Sequence, residues 1–158
     1  MEIDKDKHTR KSHNKSALLY HIVCPVGYRR KVIDEKVAET LKNVCIEIGE
    51  RYEIHFLEIG DDNDHVHFLV QSVPMLAPRN IVQTIKSITA REIFRNHPEV
   101  KKILWGGKFW TSGYYINTVG LYAGSEVIQK YIKNQGNNQK SNYKQFHSSQ
   151  PRLFEGVW

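Results

Sequence analysis

Residues 17–24 read ALLYHIVC, an apolar run of strand length that Pro25 and Gly27 close with a loop. From Ile33 the apolar positions Ile33, Val37, Leu41, Val44 and Ile48 recur at three- and four-residue steps. That spacing predicts a helix with one buried face, capped at Asp34. YEIHFLEI (52–59) predicts a second strand, GDDND a tight connection and HVHFLVQS (65–72) a third strand, so the two strands pair as an antiparallel hairpin. PMLAPRN breaks the chain before a second helix whose apolar face is Ile81, Ile85, Ile88 and Phe94. The stretch 96–113, NHPEVKKILWGGKFWTSG, reads as a loop longer than most connections in a compact domain, which points to a working loop. YYINTVG (114–120) supplies a fourth strand, and SEVIQKYIKNQ (125–135) a last helix bracketed by Gly120, Gly124 and Gly136.

The order strand, helix, strand, strand, helix, strand is the ferredoxin-like order. It implies an α+β fold in which an antiparallel sheet carries two helices on one face, with an added C-terminal helix. The face under the helices must be covered, which leaves the other to build a site. With 158 residues, the chain is expected to form one domain over 1–158, with a polar N-terminal arm over about 1–16 and a C-terminal tail over about 137–158.

Composition narrows the class. The longest apolar run is too short for a membrane span and contains His21, and the charged start, MEIDKDKHTRKSHNKS, is unlike a secretory signal. Cys24 and Cys45 sit inside apolar patterns without metal-type spacing, as buried thiols do in a reducing cytoplasm. A cytoplasmic location is the expectation. The net charge of +6 favours a polyanionic partner without specifying one.

The candidate chemistry begins in DDNDHVHFLV (61–70). Side chains alternate across a strand, so His65 and His67 share one face while Val66, Phe68 and Val70 share the other. The apolar set goes under the helices, and both imidazoles then reach the opposite face, near enough for one cation. Such a pair on a strand is more often incidental than metal-binding, so it requires a further ligand. Tyr131 and Gln135, four residues apart and therefore on one face of the last helix, are the candidates. Gln135 could offer an amide oxygen to the ion, and Tyr131 could attack a phosphodiester to form a covalent phosphotyrosine, expelling a 3′-hydroxyl. The plainer alternative is that Tyr131 packs with Val127, Ile128 and Ile132 while Gln135 is solvated. Asp64 either orients a ligand histidine or is simply a turn residue.

YHIVCPVGYRR, DHVHFLV, KFWTSGYYINTVG and IQKYIKNQ together resemble the single-tyrosine HUH transposases of small bacterial and archaeal insertion sequences, over roughly residues 8–137. HVH alone is weak; HVH followed by Y-x-x-x-Q with the FW…GYY…TVG block between is specific. The resemblance implies excision and insertion of single-stranded DNA with hairpins at the element ends, through a 5′-phosphotyrosine intermediate. It implies a magnesium or manganese ion on His65, His67 and Gln135, with Tyr131 as nucleophile. It also implies a homodimer in which the tyrosine helix of one subunit completes the histidine site of the other.

On this reading Arg29, Arg30 and Lys31, together with Lys86, Arg91 and Arg95, are candidate phosphate contacts, and Trp105, Phe109, Trp110 and Tyr114 could stack on unpaired bases, although for any one of them packing in the loop or core is the commoner role. Three rivals stand beside it: an HUH replication initiator or relaxase, a non-catalytic nucleic-acid-binding ferredoxin-like module, and a domesticated relative that cleaves DNA without moving an element.

Overall fold

The 3.6-residue periodicity becomes two helices lying over one face of a sheet. The computed structural model describes residues 8–104 and 106–120, and the backbone of 145–146. Helix α1, Glu35–Arg51, starts where expected: Asp34 caps it, its carboxylate accepting from Val37 N at 2.9 Å. Its buried stripe is Val37, Leu41, Val44, Cys45 and Ile48. Helix α2, Pro78–Asn96, places proline in its first turn, where a missing N–H costs no intrahelical bond. It buries Ile81, Val82, Ile85, Thr89 and Ile93. Ile88 and Phe94 are half-buried at the edge of that stripe, and Ile93 takes the central place instead.

Strand β3, Leu18–Pro25, and the hairpin of β4, His55–Asp62, with β5, His65–Ser72, form the centre of the sheet. Strand β6, Tyr115–Thr118, pairs with β3, and β7, Gln145–Phe146, adds to the edge of β4. The sheet order is β6-β3-β5-β4-β7 and every pairing is antiparallel. The ferredoxin-like arrangement is therefore present, extended by one edge strand. The short strands β1, Thr9–Arg10, and β2, Lys15–Ser16, form a hairpin within the region read as a polar arm. The stretch 96–113 is not one long loop: α3, Pro98–Ile103, occupies its first part. The C-terminal helix expected over 125–135 lies outside the described residues.

Strand β4 runs on to Asp62, so the β4–β5 connection is shorter than GDDND suggested and consists of Asn63 and Asp64. A bulge between Phe56 and Glu58 lets Ile54, Phe56 and Ile59 all enter the core despite their uneven spacing. It also sets Glu58, Gly60 and Asp62 opposite Leu69, His67 and His65. The core joins Ile22 and Cys24 of β3 and Val66, Phe68 and Val70 of β5 to both helix stripes. Burial drives the Cys24 thiol pKa up to about 12 and that of Cys45 well above its ordinary value, which leaves both as inert packing. Ile85→Ala, at a fully buried position under the sheet, is expected to destabilise the fold by about 2–5 kcal/mol, read as a lower midpoint in urea denaturation.

The second face of the sheet is less open than the alternation alone suggests. Leu19, His21, Leu69, Gln71 and Glu58 on that face are all buried. Part of the cover is the β1–β2 hairpin, where Gln71 Nε2 donates to the buried Thr9 hydroxyl at 3.1 Å and Lys11 pairs with Glu53.

Candidate metal centre

His65 and His67 stand on the helix-free face of β5, and their rings meet edge to face at 5.0 Å between centroids. Both are buried, at 8% and 1% exposure, so each ring is held in place and not splayed into solvent. The same ring nitrogen is engaged in each. His65 Nδ1 lies 2.6 Å from Asp64 Oδ1, and His67 Nδ1 lies 3.1 Å from His21 Nε2. An ion shared by the pair would therefore be met through Nε2 of both rings, with the partner on Nδ1 fixing tautomer and orientation.

Ligation requires neutral imidazole. Burial, reinforced by the neighbouring histidines, lowers the pKa of His67 to about 3. Burial lowers that of His21 to about 4, against a hydrogen bond donated by its ring to the Asn117 side chain, which acts in the opposite sense. The donor chemistry thus fits a divalent cation at neutral pH. Asp62 faces His65 across the hairpin, and potential ligand atoms of Asp62, Asp64 and His65 lie within 4.8 Å of one another. With Asp64 Oδ1 bound to His65 Nδ1, the arrangement reads best as a carboxylate–imidazole couple beside a further carboxylate that can approach the same ion or its water.

Arg29 secures Asp64 from the other side, its Nε 3.2 Å from Oδ2. Burial alone would raise the Asp64 pKa, but hydrogen bonds from His65 and Arg29 and the guanidinium charge outweigh it, and the group stays below its ordinary value. Asp64→Ala should therefore weaken manganese binding about 10- to 100-fold while His65 remains present, measured by metal titration of the folded protein.

His21 was missed from sequence. It sits in a strand that reads as core, and only the register reveals its role: His21 pairs with Leu69 across β3–β5, and its ring stacks on His67 with 5.3 Å between centroids. The available signal was its parity. In ALLYHIVC it falls on the opposite face from Tyr20, Ile22 and Cys24, and therefore on the histidine face.

The basic candidates do not gather in one place. Arg29, Arg30 and Lys31 are exposed on the turn that follows β3, beside Asp64. Lys86, Arg91 and Arg95 belong to α2, on the far side of the sheet from His65 and His67. Lys86 Nζ donates to the carbonyls of Thr111 and Gly113 at 2.7 and 3.3 Å, which pins the loop before β6. Arg91 and Arg95 are exposed. Of the two roles open to Phe109 and Trp110, core packing is the one observed: they are 1% and 4% exposed. Trp110 Nε1 donates to Thr89 Oγ1 at 2.9 Å, so its polar edge is satisfied inside the protein. Tyr114 is exposed. Tyr131, Gln135 and Trp105 lie outside the described residues.

The sequence profile described as "Transposase IS200 like" matches residues 14–135. The ISDra2 transposase TnpA of Deinococcus radiodurans is 35% identical over 118 residues, covering 75% of this chain and 84% of that protein. The transposase for insertion sequence element IS200 of Salmonella typhimurium is 26% identical over 124 residues, covering 78% and 80%. A solved structure of a candidate transposase from Deinococcus radiodurans R1 superposes with a TM-score of 0.64 at 28% identity, covering 80% of this chain and 98% of that one. A REP-associated tyrosine transposase bound to a REP hairpin shares the fold, with a TM-score of 0.50 at 7% identity over 78% of this chain and 67% of that one.

Proposed function

The chain belongs to the IS200-like transposase family, and from that premise we propose that it cleaves and rejoins single-stranded DNA at insertion-sequence ends through a 5′-phosphotyrosine on Tyr131. The observation that carries this reading is the matched pair of imidazoles, each buried and each tied down at Nδ1 by a different partner. Buried histidines in general are hydrogen-bonded, but engagement of the same Nδ1 in both rings is the arrangement that a pair of ligand histidines sharing one ion requires.

His65 and His67, with Gln135 as the third protein donor, would hold a magnesium or manganese ion. Bound there, the ion offsets charge developing on the scissile phosphate. Histidine donors suit manganese at least as well as magnesium. Asp64 keeps His65 in one tautomer, Arg29 holds Asp64, and His21 does for His67 what Asp64 does for His65. The Tyr131 oxygen attacks phosphorus, a P–O bond to tyrosine forms, and the bond to the 3′-oxygen breaks, leaving as a 3′-hydroxyl once protonated. Attack by another 3′-hydroxyl then reverses the exchange and frees the phenol. The bond energy is conserved throughout, so rejoining requires no nucleotide cofactor.

The DNA is taken to carry hairpins near the element ends, and the active unit to be a homodimer in which the tyrosine of one subunit serves the histidines of the other. Exposed Arg29, Arg30 and Lys31 lie closest to the histidine site and are the first candidates for phosphate contact. Arg91 and Arg95 would serve DNA passing over the helix layer, whereas Lys86 is committed to the Thr111 and Gly113 carbonyls. The test is incubation with hairpin-bearing single-stranded oligonucleotides and manganese, followed by denaturing electrophoresis. A denaturation-resistant protein–DNA adduct is expected. A retarded native complex with no covalent species would instead identify a binding module.

A further inference from the structure

The turn after β3 puts two consecutive residues with side chains at positive φ, Tyr28 at 56° and Arg29 at 52°. Residues carrying a Cβ rarely adopt that conformation, and it persists only where the surroundings over-determine it. They do so here. Gly27 N donates to Phe109 O at 2.7 Å, Thr111 N to Pro25 O at 2.9 Å, and Val26 N to Asp64 O at 2.8 Å. Glycine at 27 suits the close approach here, since a Cβ would stand 3.1 Å from the Lys108 carbonyl.

The strained turn presents an aromatic ring to solvent. Tyr28 is 80% exposed, in contrast to Phe109 and Trp110, which are buried. Beside the ring lies a cleft of about 430 Å³ whose other walls include Lys108, Trp110 and Ser112. Lys108 on its wall is exposed, and Arg29, Arg30 and Lys31, which follow Tyr28 in the chain, are exposed as well. Arg29, the residue after Tyr28, holds the carboxylate that holds His65. Two hydrogen bonds, Arg29 to Asp64 and Asp64 to His65, therefore run from the residue beside Tyr28 to the candidate site.

We infer that this cleft is a subsite for one unpaired nucleobase next to the scissile phosphate, stacked on the Tyr28 ring with its phosphates facing Lys108 and the arginines. An exposed π-face suits any base, the cations suit its backbone, and the fixed turn removes the cost of ordering the ring. The inference rests on the strand-transfer reading, which makes unpaired DNA the ligand.

The full chain, without metal, should be titrated with short single-stranded oligonucleotides carrying 2-aminopurine at successive positions. One position is expected to be quenched by the wild-type protein and by Tyr28→Phe, and not by Tyr28→Ala, whose affinity falls about tenfold. An abasic nucleotide at that position should weaken wild-type binding equally and Tyr28→Ala no further, the non-additivity of two groups in contact. Thermal melting of each variant separates this effect from misfolding. Unchanged affinity and quenching in Tyr28→Ala overturn the inference. So does a changed oligomeric state on sizing, which would mean that a second copy of the chain covers the ring. Failure of the wild-type protein to form the covalent adduct overturns the strand-transfer reading. Adduct formation with indifference at Tyr28 overturns this inference alone.

Discussion

Tyr131→Phe is expected to eliminate the covalent protein–DNA adduct while leaving oligonucleotide binding and the melting temperature intact. The substitution removes one oxygen and retains the ring, so it takes away only the proposed nucleophile. A free phenol has a pKa of about 10, so the tyrosine contributes to the rate only once its proton is withdrawn. Exchange without that oxygen would have to proceed through water, giving hydrolysis and a free 5′-phosphate with no conserved bond energy. The assay therefore has two informative readouts: the adduct band and the released end. Persistence of the adduct in Tyr131→Phe would show that another of the eight tyrosines carries the reaction. Tyr114 and Tyr115, both exposed, would be the next to replace.

The parts of this molecule legible in its sequence are those set by periodicity. Val37, Leu41, Val44 and Ile48 place α1 because a helix needs an apolar residue at nearly every turn of one face, and β5 is placed by HVHFLV, whose alternation sends Val66 and Phe68 inward. Where side chains obey other constraints, the reading weakens. The bulge in β4 breaks its alternation, so neither the far end of the strand at Asp62 nor the position of Asp62 opposite His65 is legible. Trp110 looks like a loop aromatic because glycines and lysines precede it, yet its indole fills the space above α2 and binds Thr89. His21 is hidden for the opposite reason: a histidine inside an apolar run reads as tolerated core until the β3–β5 register brings it against His67. Local pattern finds elements. Pairing between strands distant in sequence builds the support for the site.

His67→Ala is expected to abolish manganese-dependent adduct formation and to lower metal affinity by more than the roughly 10- to 100-fold that a supporting residue carries. The reason is geometric. His67 contributes the more deeply buried ring, and its removal takes away a proposed ligand and leaves His21 Nε2 facing a cavity. Metal titration by calorimetry reads this loss without catalysis, and the melting temperature reports whether the cavity destabilises the fold. If the variant folds and still binds manganese as tightly as wild type, the donor set lies elsewhere, and the Asp62, Asp64 and His65 cluster becomes the site to test. The same variant also resolves how the active unit is assembled. Mixed with Tyr131→Phe, it would give, in the proposed homodimer, mixed pairs in which one subunit has intact histidines and the other an intact phenol. If the tyrosine acts across the dimer, two inactive proteins regain adduct formation on mixing, with the DNA attached to the His67→Ala chain. If it acts within its own subunit, every site in the mixture lacks one essential group and no activity returns.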